Sequence, residues 1–237
     1  MSDITKNDLG TLGQLSVGSG SLGLSQEYRD FLCEEIENNI SDAEGEEHKY
    51  DDKAWTGDVN GFEKYHQDSR YDDFFSPLST AIFHYCMDIG VNHEMFNFEV
   101  VRCWGTKTKS GENISKHTHD YAHLSVVYYP KVPEACGELI LSVQNPQNEL
   151  VPGMFTAESY QMGALSYNTQ ESLNILGYEP KDDMYVMFPA KTQHQTNCSS
   201  SHLPRYSIAA DIIMTLKDCH KVEGLLPCKS SWKNLNA

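Results

Sequence analysis

Two histidines one residue apart, in His117-Thr118-His119-Asp120, and a third at the end of Phe188-Pro-Ala-Lys-Thr-Gln-His194, are the residues here best suited to hold a metal. Side chains two apart on an extended strand point to the same side, so His117 and His119 can offer two imidazoles to one ion without bending the backbone. Three protein ligands on one face leave coordination positions open, as oxygen-activating non-haem Fe(II) sites require. The chain has 10 histidines, and an H-x-H pair alone is weak evidence. The downstream residues narrow the reading. Arg205-Tyr206-Ser207 opens the apolar run Ile208-Ala-Ala-Asp-Ile-Ile, with Arg205 and Ser207 on one face. A guanidinium fork beside a hydroxyl suits a buried carboxylate.

The order H-x-H, then Leu124-Ser-Val-Val-Tyr-Tyr129, then Phe188-Pro with a histidine beyond, then Arg-x-Ser, resembles the 2-oxoglutarate–Fe(II) oxygenases. It looks most like the group with an H-x-H…S-G-V-Y-Y signature, over roughly residues 98–214. The resemblance implies a double-stranded β-helix, a jelly-roll, cupin-like barrel, with Fe(II) as metal and 2-oxoglutarate as cosubstrate. His117 and His194 would take the family's two histidine positions. Arg205 and Ser207 would bind the far carboxylate of 2-oxoglutarate. Tyr129, with the strand parity of His117 and His119, is preferred to Tyr128 as a further cosubstrate contact. No catalytic residue beyond the metal centre is expected. The implied function is a hydroxylase-type dioxygenase, coupling oxidative decarboxylation of 2-oxoglutarate to oxidation of a substrate C–H bond.

The chain departs from the family at position 119, where most members carry Asp or Glu. Three completions of the ligand set stay open: His119 itself, Asp120 swung in through a bulge, or a distant acid such as Glu138. Parity favours His119. Two rival functions also stay open. One is a cupin-type metal dioxygenase or isomerase that does not use 2-oxoglutarate, although a glutamate shortly after H-x-H is missing and His123 stands nearby instead. The other is a non-catalytic jelly-roll binding module.

The elements that must position these residues are mainly strands. Phe96–Trp104, Leu124–Tyr129, Glu138–Val143, Tyr185–Phe188 and Tyr206–Met214 are short β-branched or aromatic runs separated by Gly, Pro, Asn and Ser. Residues 152–180 are Gly-rich and have room for one or two more strands. Upstream, Ser25 reads as an N-cap for a helix carrying Tyr28, Phe31, Leu32 and Ile36. Ser76 reads as the cap of a second helix, with Pro77 in its first turn, an apolar stripe from Leu78 to Ile89, and Gly90 as its stop. Residues 41–73 read as an acidic loop pinned by Trp55 and Phe62. The expected organisation is a flexible or loosely docked arm over 1–24, a helical region over 25–95 and the β-helix core over 96–237.

The hydrophobic fraction of 39% is that of a folded chain. A net charge of −16 weighs against nucleic acid and anionic membranes as partners, because phosphate recognition needs clustered Lys and Arg. Lys107-Thr108-Lys109 reads as a solvated basic loop. The substrate stays open between a small molecule and a protein side chain. The 7 cysteines form no C-x-x-C pair, and Cys219, His220 and Cys228 lack zinc-site spacing. Reduced thiols in a cytoplasmic protein are expected, with no signal peptide and no membrane span.

Overall fold

The computed structural model describes residues 15–43, 53–143, 148–167, 169, 172–218 and 224–235. Among these described residues, nine strands form two antiparallel sheets. They are β1 (Gly18–Ser21), β2 (Trp55–Thr56), β3 (Phe96–Thr108), β4 (Leu124–Lys131), β5 (Leu139–Ser142), β6 (Ile175–Tyr178), β7 (Met184–Pro189), β8 (Gln193–Thr196) and β9 (Arg205–Leu216). The major sheet runs β1-β7-β4-β9-β3-β2 and the minor sheet β6-β5-β8. The expected jelly-roll, mainly β with flanking helices, is present. Its two sheets face each other but stay separate, so the barrel is open along its sides.

Alternation sorts the major sheet into two faces. Leu124, Val126 and Tyr128 of β4, with Ile208, Ala210 and Ile212 of β9, join one core with Leu32 and Ile36 of helix α1 (Gln26–Asp42) and Phe74, Leu78 and Ile82 of helix α2 (Asp72–Asp88). The opposite face carries Tyr129, Val186 and Phe188, which pack on Leu139 and Leu141 of β5 in a second core between the sheets. The functional residues belong to this inner face.

β3 does not keep one parity along its length. Val100 pairs with Ile212, but Arg102 pairs with Asp211, so Val101 is an extra residue in the ladder. This bulge rotates the strand. Phe98 and Val100 pack against the helical side, whereas Arg102, Trp104 and Thr106 beyond the bulge line the inner cavity.

Helix α1 begins where its cap signal places it: the Ser25 side chain accepts a hydrogen bond from the Tyr28 amide. Helix α2 corrects the expectation at Ser76. Its N-cap is Tyr71, five residues before Ser76, with Asp72 and Asp73 in its first turn and Pro77 inside it. Burial of Tyr71 and Phe74 against the sheet outweighs the backbone bond that Pro77 cannot donate. Residues 53–73 are likewise more ordered than a loop, with β2 paired to β3 and three short 3-10 turns.

The glycine-rich arm is also corrected. Gly18–Ser21 forms the edge strand β1 on β7. A Cβ at Gly18 would stand 2.8 Å from Met187 Cγ, so the missing side chain there serves close approach rather than flexibility. Asp183 fastens the end of this segment, accepting from the amides of Gly23 at 2.8 Å and Leu24 at 3.2 Å and from the Tyr128 hydroxyl at 2.7 Å. Residues 1–14 of the arm lie outside the described residues, as do Cys219 and His220. Cys33, Cys86, Cys103, Cys136 and Cys198 are free thiols. No helix among the described residues is long and apolar enough to cross a membrane.

The corrected start of α2 has a direct check in urea unfolding. Phe74→Ala is expected to cost about 4 kcal/mol as a core truncation. Ser76→Ala, at an exposed position inside the helix, is expected to stay within about 0.5 kcal/mol.

Candidate metal and cosubstrate site

His117, His119 and His194 meet. One ring nitrogen from each lies within 4.8 Å of the other two. Ring centroids are 5.0 Å apart for His117–His119, 4.2 Å for His117–His194 and 5.1 Å for His119–His194. His194 is the second residue of β8. His117 and His194 exchange backbone hydrogen bonds of 2.9 and 3.0 Å, and the His119 amide donates to Ala190 at 3.0 Å. The segment before β4 therefore behaves locally as a strand beside β8, and the period-two rule puts both of its histidines on the inner side.

Asp120 falls on the other side. It is exposed and accepts from the Thr118 hydroxyl at 2.8 Å, outside the cluster. Glu138 is exposed as well, facing Asn197 at 3.2 Å. Neither fallback carboxylate reaches the histidines, because ordinary alternation turns both toward solvent. His123 is exposed too, its Nδ1 accepting from the Met214 amide rather than packing in a core.

The hydrogen bonds of the three imidazoles fix where their protons sit. His117 Nδ1 meets the Ser115 carbonyl at 2.7 Å, His194 Nδ1 the Thr192 carbonyl at 2.9 Å, and His119 Nδ1 the Asp211 carboxylate at 2.5 Å. All three partners are acceptors, so each Nδ1 carries the proton and each Nε2 keeps a free lone pair. Burial, with His117 nearby, pushes His194 down to about 3, and burial also lowers His117. Three ring nitrogens converging on one point fit a divalent transition metal.

Sequence reasoning missed Asp211. This fully buried residue accepts from His119, from the Tyr121 hydroxyl at 2.5 Å and from the Ser125 hydroxyl at 3.0 Å. Burial alone would raise its carboxyl; the three donors outweigh that and hold it below the ordinary carboxylate range. The signal was available, since Asp211 has the parity of Arg205 and Ser207. Tyr121 in turn accepts from Arg102 at 2.7 Å, and Arg102 pairs with Asp58 at 3.2 Å. Trp104 lies flat against His119, at 5.8 Å and 24°.

A cavity of about 440 Å³ opens onto the triad, with Arg205, Ser207 and Tyr129 at its buried end and Asp58, Arg102 and Tyr121 at its exposed end. Arg205 is only 1% exposed. Its guanidinium donates to the carbonyls of Cys136 at 3.0 Å and Gly137 at 2.9 Å and to the Thr108 hydroxyl at 3.1 Å, while its Nε has no partner. Among the described residues no carboxylate pairs with it. Gly137 holds its carbonyl there in a left-handed turn (φ 83), where a Cβ would stand 2.3 Å from the Asn197 carbonyl oxygen. An uncompensated buried cation at the end of a cavity calls for an anionic ligand.

Ser207 stands on the same face, and Tyr129 keeps its phenol neutral, pushed up to about 12 by burial against the opposing pull of Arg205. Tyr128 points the other way, to Phe74 and Asp183. The basic run is not a solvated loop. Lys107 pairs with Glu37 across the strand face, and Thr108 is buried on Arg205.

Residues 102–211, from Arg102 to Asp211, match the family described as "Putative 2OG-Fe(II) oxygenase". No curated protein matches the chain by sequence. In fold, the chain is similar to the non-heme α-ketoglutarate-dependent carbocyclase SnoK from nogalamycin biosynthesis (TM-score 0.57, 11% identity, covering 91% of this chain and 90% of that one). It is also similar to the epimerase SnoN in complex with Fe3+, α-ketoglutarate and nogalamycin RO (0.54, 11%, 84% and 79%). A third structure with a similar fold is the Pseudomonas putida prolyl-4-hydroxylase (0.51, 12%, 83% and 92%).

The assigned proton positions are checked by nitrogen-15 NMR of the metal-free protein at neutral pH. His117, His119 and His194 are expected as Nδ1–H tautomers, and an Nε2–H form at any of them would contradict the convergent lone pairs.

Proposed function

We propose that this chain, a member of the 2-oxoglutarate–Fe(II) oxygenase superfamily, holds Fe(II) through His117, His119 and His194 and hydroxylates a C–H bond of its substrate. The observation that carries the cosubstrate half of this reading is Arg205, a buried guanidinium with an unpaired Nε and no carboxylate partner among the described residues. It favours 2-oxoglutarate over the cupin-type reading, which has no use for a buried cation in the cavity.

Bound Fe(II) and 2-oxoglutarate supply the oxygen activation. The chain's own residues bind, orient and exclude water. Three neutral Nε2 donors would occupy one side of the metal and leave the other side free for cosubstrate and oxygen. Arg205 and Ser207 would take the far carboxylate of 2-oxoglutarate as charge-assisted hydrogen bonds, and the Tyr129 hydroxyl would stand beside them as a further donor. Tyr129, Leu139 and Phe188 wall the buried end of the cavity with apolar surface and keep bulk water from the reacting atoms. The substrate would then enter from the Tyr121 side, between the Asp58–Arg102 pair and the triad.

The test is conversion of 2-oxoglutarate to succinate under air with added Fe(II). Turnover is expected without a prime substrate at a low rate, abolished in His194→Ala. Arg205→Ala is expected to raise the KM for 2-oxoglutarate by about a hundredfold, in line with loss of a buried charge-assisted pair worth roughly 3 kcal/mol. An Arg205→Ala variant with unchanged KM would remove the cosubstrate assignment.

A further inference from the structure

We infer that Asp211 is a positioning residue for the metal: it locks the proton of His119 on Nδ1, aims Nε2 at the ion, and returns to the site the negative charge that its three neutral ligands lack. This rests on the triad being the iron ligands. The charge is placed one hydrogen bond behind the metal instead of on it.

Five observations lead there. Asp211 is fully buried, and among the described residues no Lys or Arg pairs with it. Arg102 lies directly across the ladder from it, yet sends its guanidinium to Asp58 and Tyr121 instead. Asp211 therefore keeps its charge for His119, whose Nδ1 it meets at 2.5 Å. Tyr121 and Ser125 each donate to it and fix both carboxylate oxygens. His119 in turn has no freedom to rotate away, because Trp104 and His117 stack against its ring. A carboxylate bonded to the far nitrogen of a ligating imidazole sets the tautomer and makes the near nitrogen a stronger donor, and such partners typically matter 10–100-fold in metal affinity. Arg205, six residues earlier on the same face of β9, is the mirror case: a buried cation calling for an anion, where Asp211 is a buried anion whose counter-charge would be the metal.

A purely structural Asp211 would serve folding and leave metal binding alone, so charge exchange between the two positions separates the readings. The full-length chain is stripped of metal and titrated with Co(II) by calorimetry, with thermal unfolding of the metal-free protein followed in parallel. Asp211→Asn is expected to bind Co(II) at least tenfold more weakly while its metal-free unfolding temperature stays near the parent's. His119→Asp alone sets a second carboxylate facing Asp211 and is expected to bind weakly. The double variant His119→Asp/Asp211→Asn moves the charge from behind the metal onto it and is expected to gain at least tenfold over His119→Asp. If Asp211→Asn does not fold, that last comparison alone carries the test. Unchanged Co(II) affinity in Asp211→Asn, or a double variant no better than His119→Asp, overturns the inference. Failure of the triad reading itself looks different: His194→Ala would then bind Co(II) as the parent does.

Discussion

The pairing of β9 with β3 on one side and β4 on the other is the constraint on which the site depends. Antiparallel register places Arg205, Ser207, Ala209 and Asp211 on the inner face, and Ile208, Ala210 and Ile212 on the helical core. A one-residue slip would exchange the two sets, burying charges against α1 and α2 and exposing isoleucines to the cavity. The apolar set on the outer face thus fixes the polar set on the inner one. The extra residue at Val101 then lets β3 serve both faces in sequence, first core, then site.

Charge in this cavity is handled by geometry more than by pairing. The chain is strongly acidic overall, yet the buried end of its cavity is cationic, with Arg205 held by two carbonyls and a hydroxyl, none of which cancels its charge. Asp211 is held by two hydroxyls and an imidazole, and again no full counter-charge meets it. Hydrogen bonds make both ions tolerable in the interior without neutralising them. Such an interior is costly unless ligands complete it, and a divalent cation in front of Asp211 with a keto-acid carboxylate on Arg205 would bring the opposite charge to each. The exposed end is different, since Asp58 and Arg102 satisfy each other there.

The sequence was most legible where alternation and packing agree. His117, His119, His194, Arg205, Ser207 and Tyr129 meet in one cavity because each sits on the inner parity of extended chain, in a strand or, for His117 and His119, beside β8, and parity can be read from spacing alone. The same rule set Asp120 aside. Asp211 obeyed the rule and was passed over, since an acid inside an apolar run reads as part of the run. Three features had no local signature. The bulge at Val101 leaves no mark in composition, and the glycines of β1 look alike whether they serve mobility or close approach. The start of α2 is set by burial of Tyr71 and Phe74, which overrode the local signal at Ser76-Pro77.

The central claim is that a three-imidazole set, without a protein carboxylate, holds the metal. A crystal structure of the Fe(II)-loaded chain with 2-oxoglutarate, prepared without oxygen, tests it most directly. The account predicts Nε2 of His117, His119 and His194 on the iron, Asp211 still on His119 Nδ1, and the far carboxylate of 2-oxoglutarate on Arg205. Iron bound by Asp120 or Glu138 with His119 turned away, or 2-oxoglutarate lying apart from Arg205, would contradict it.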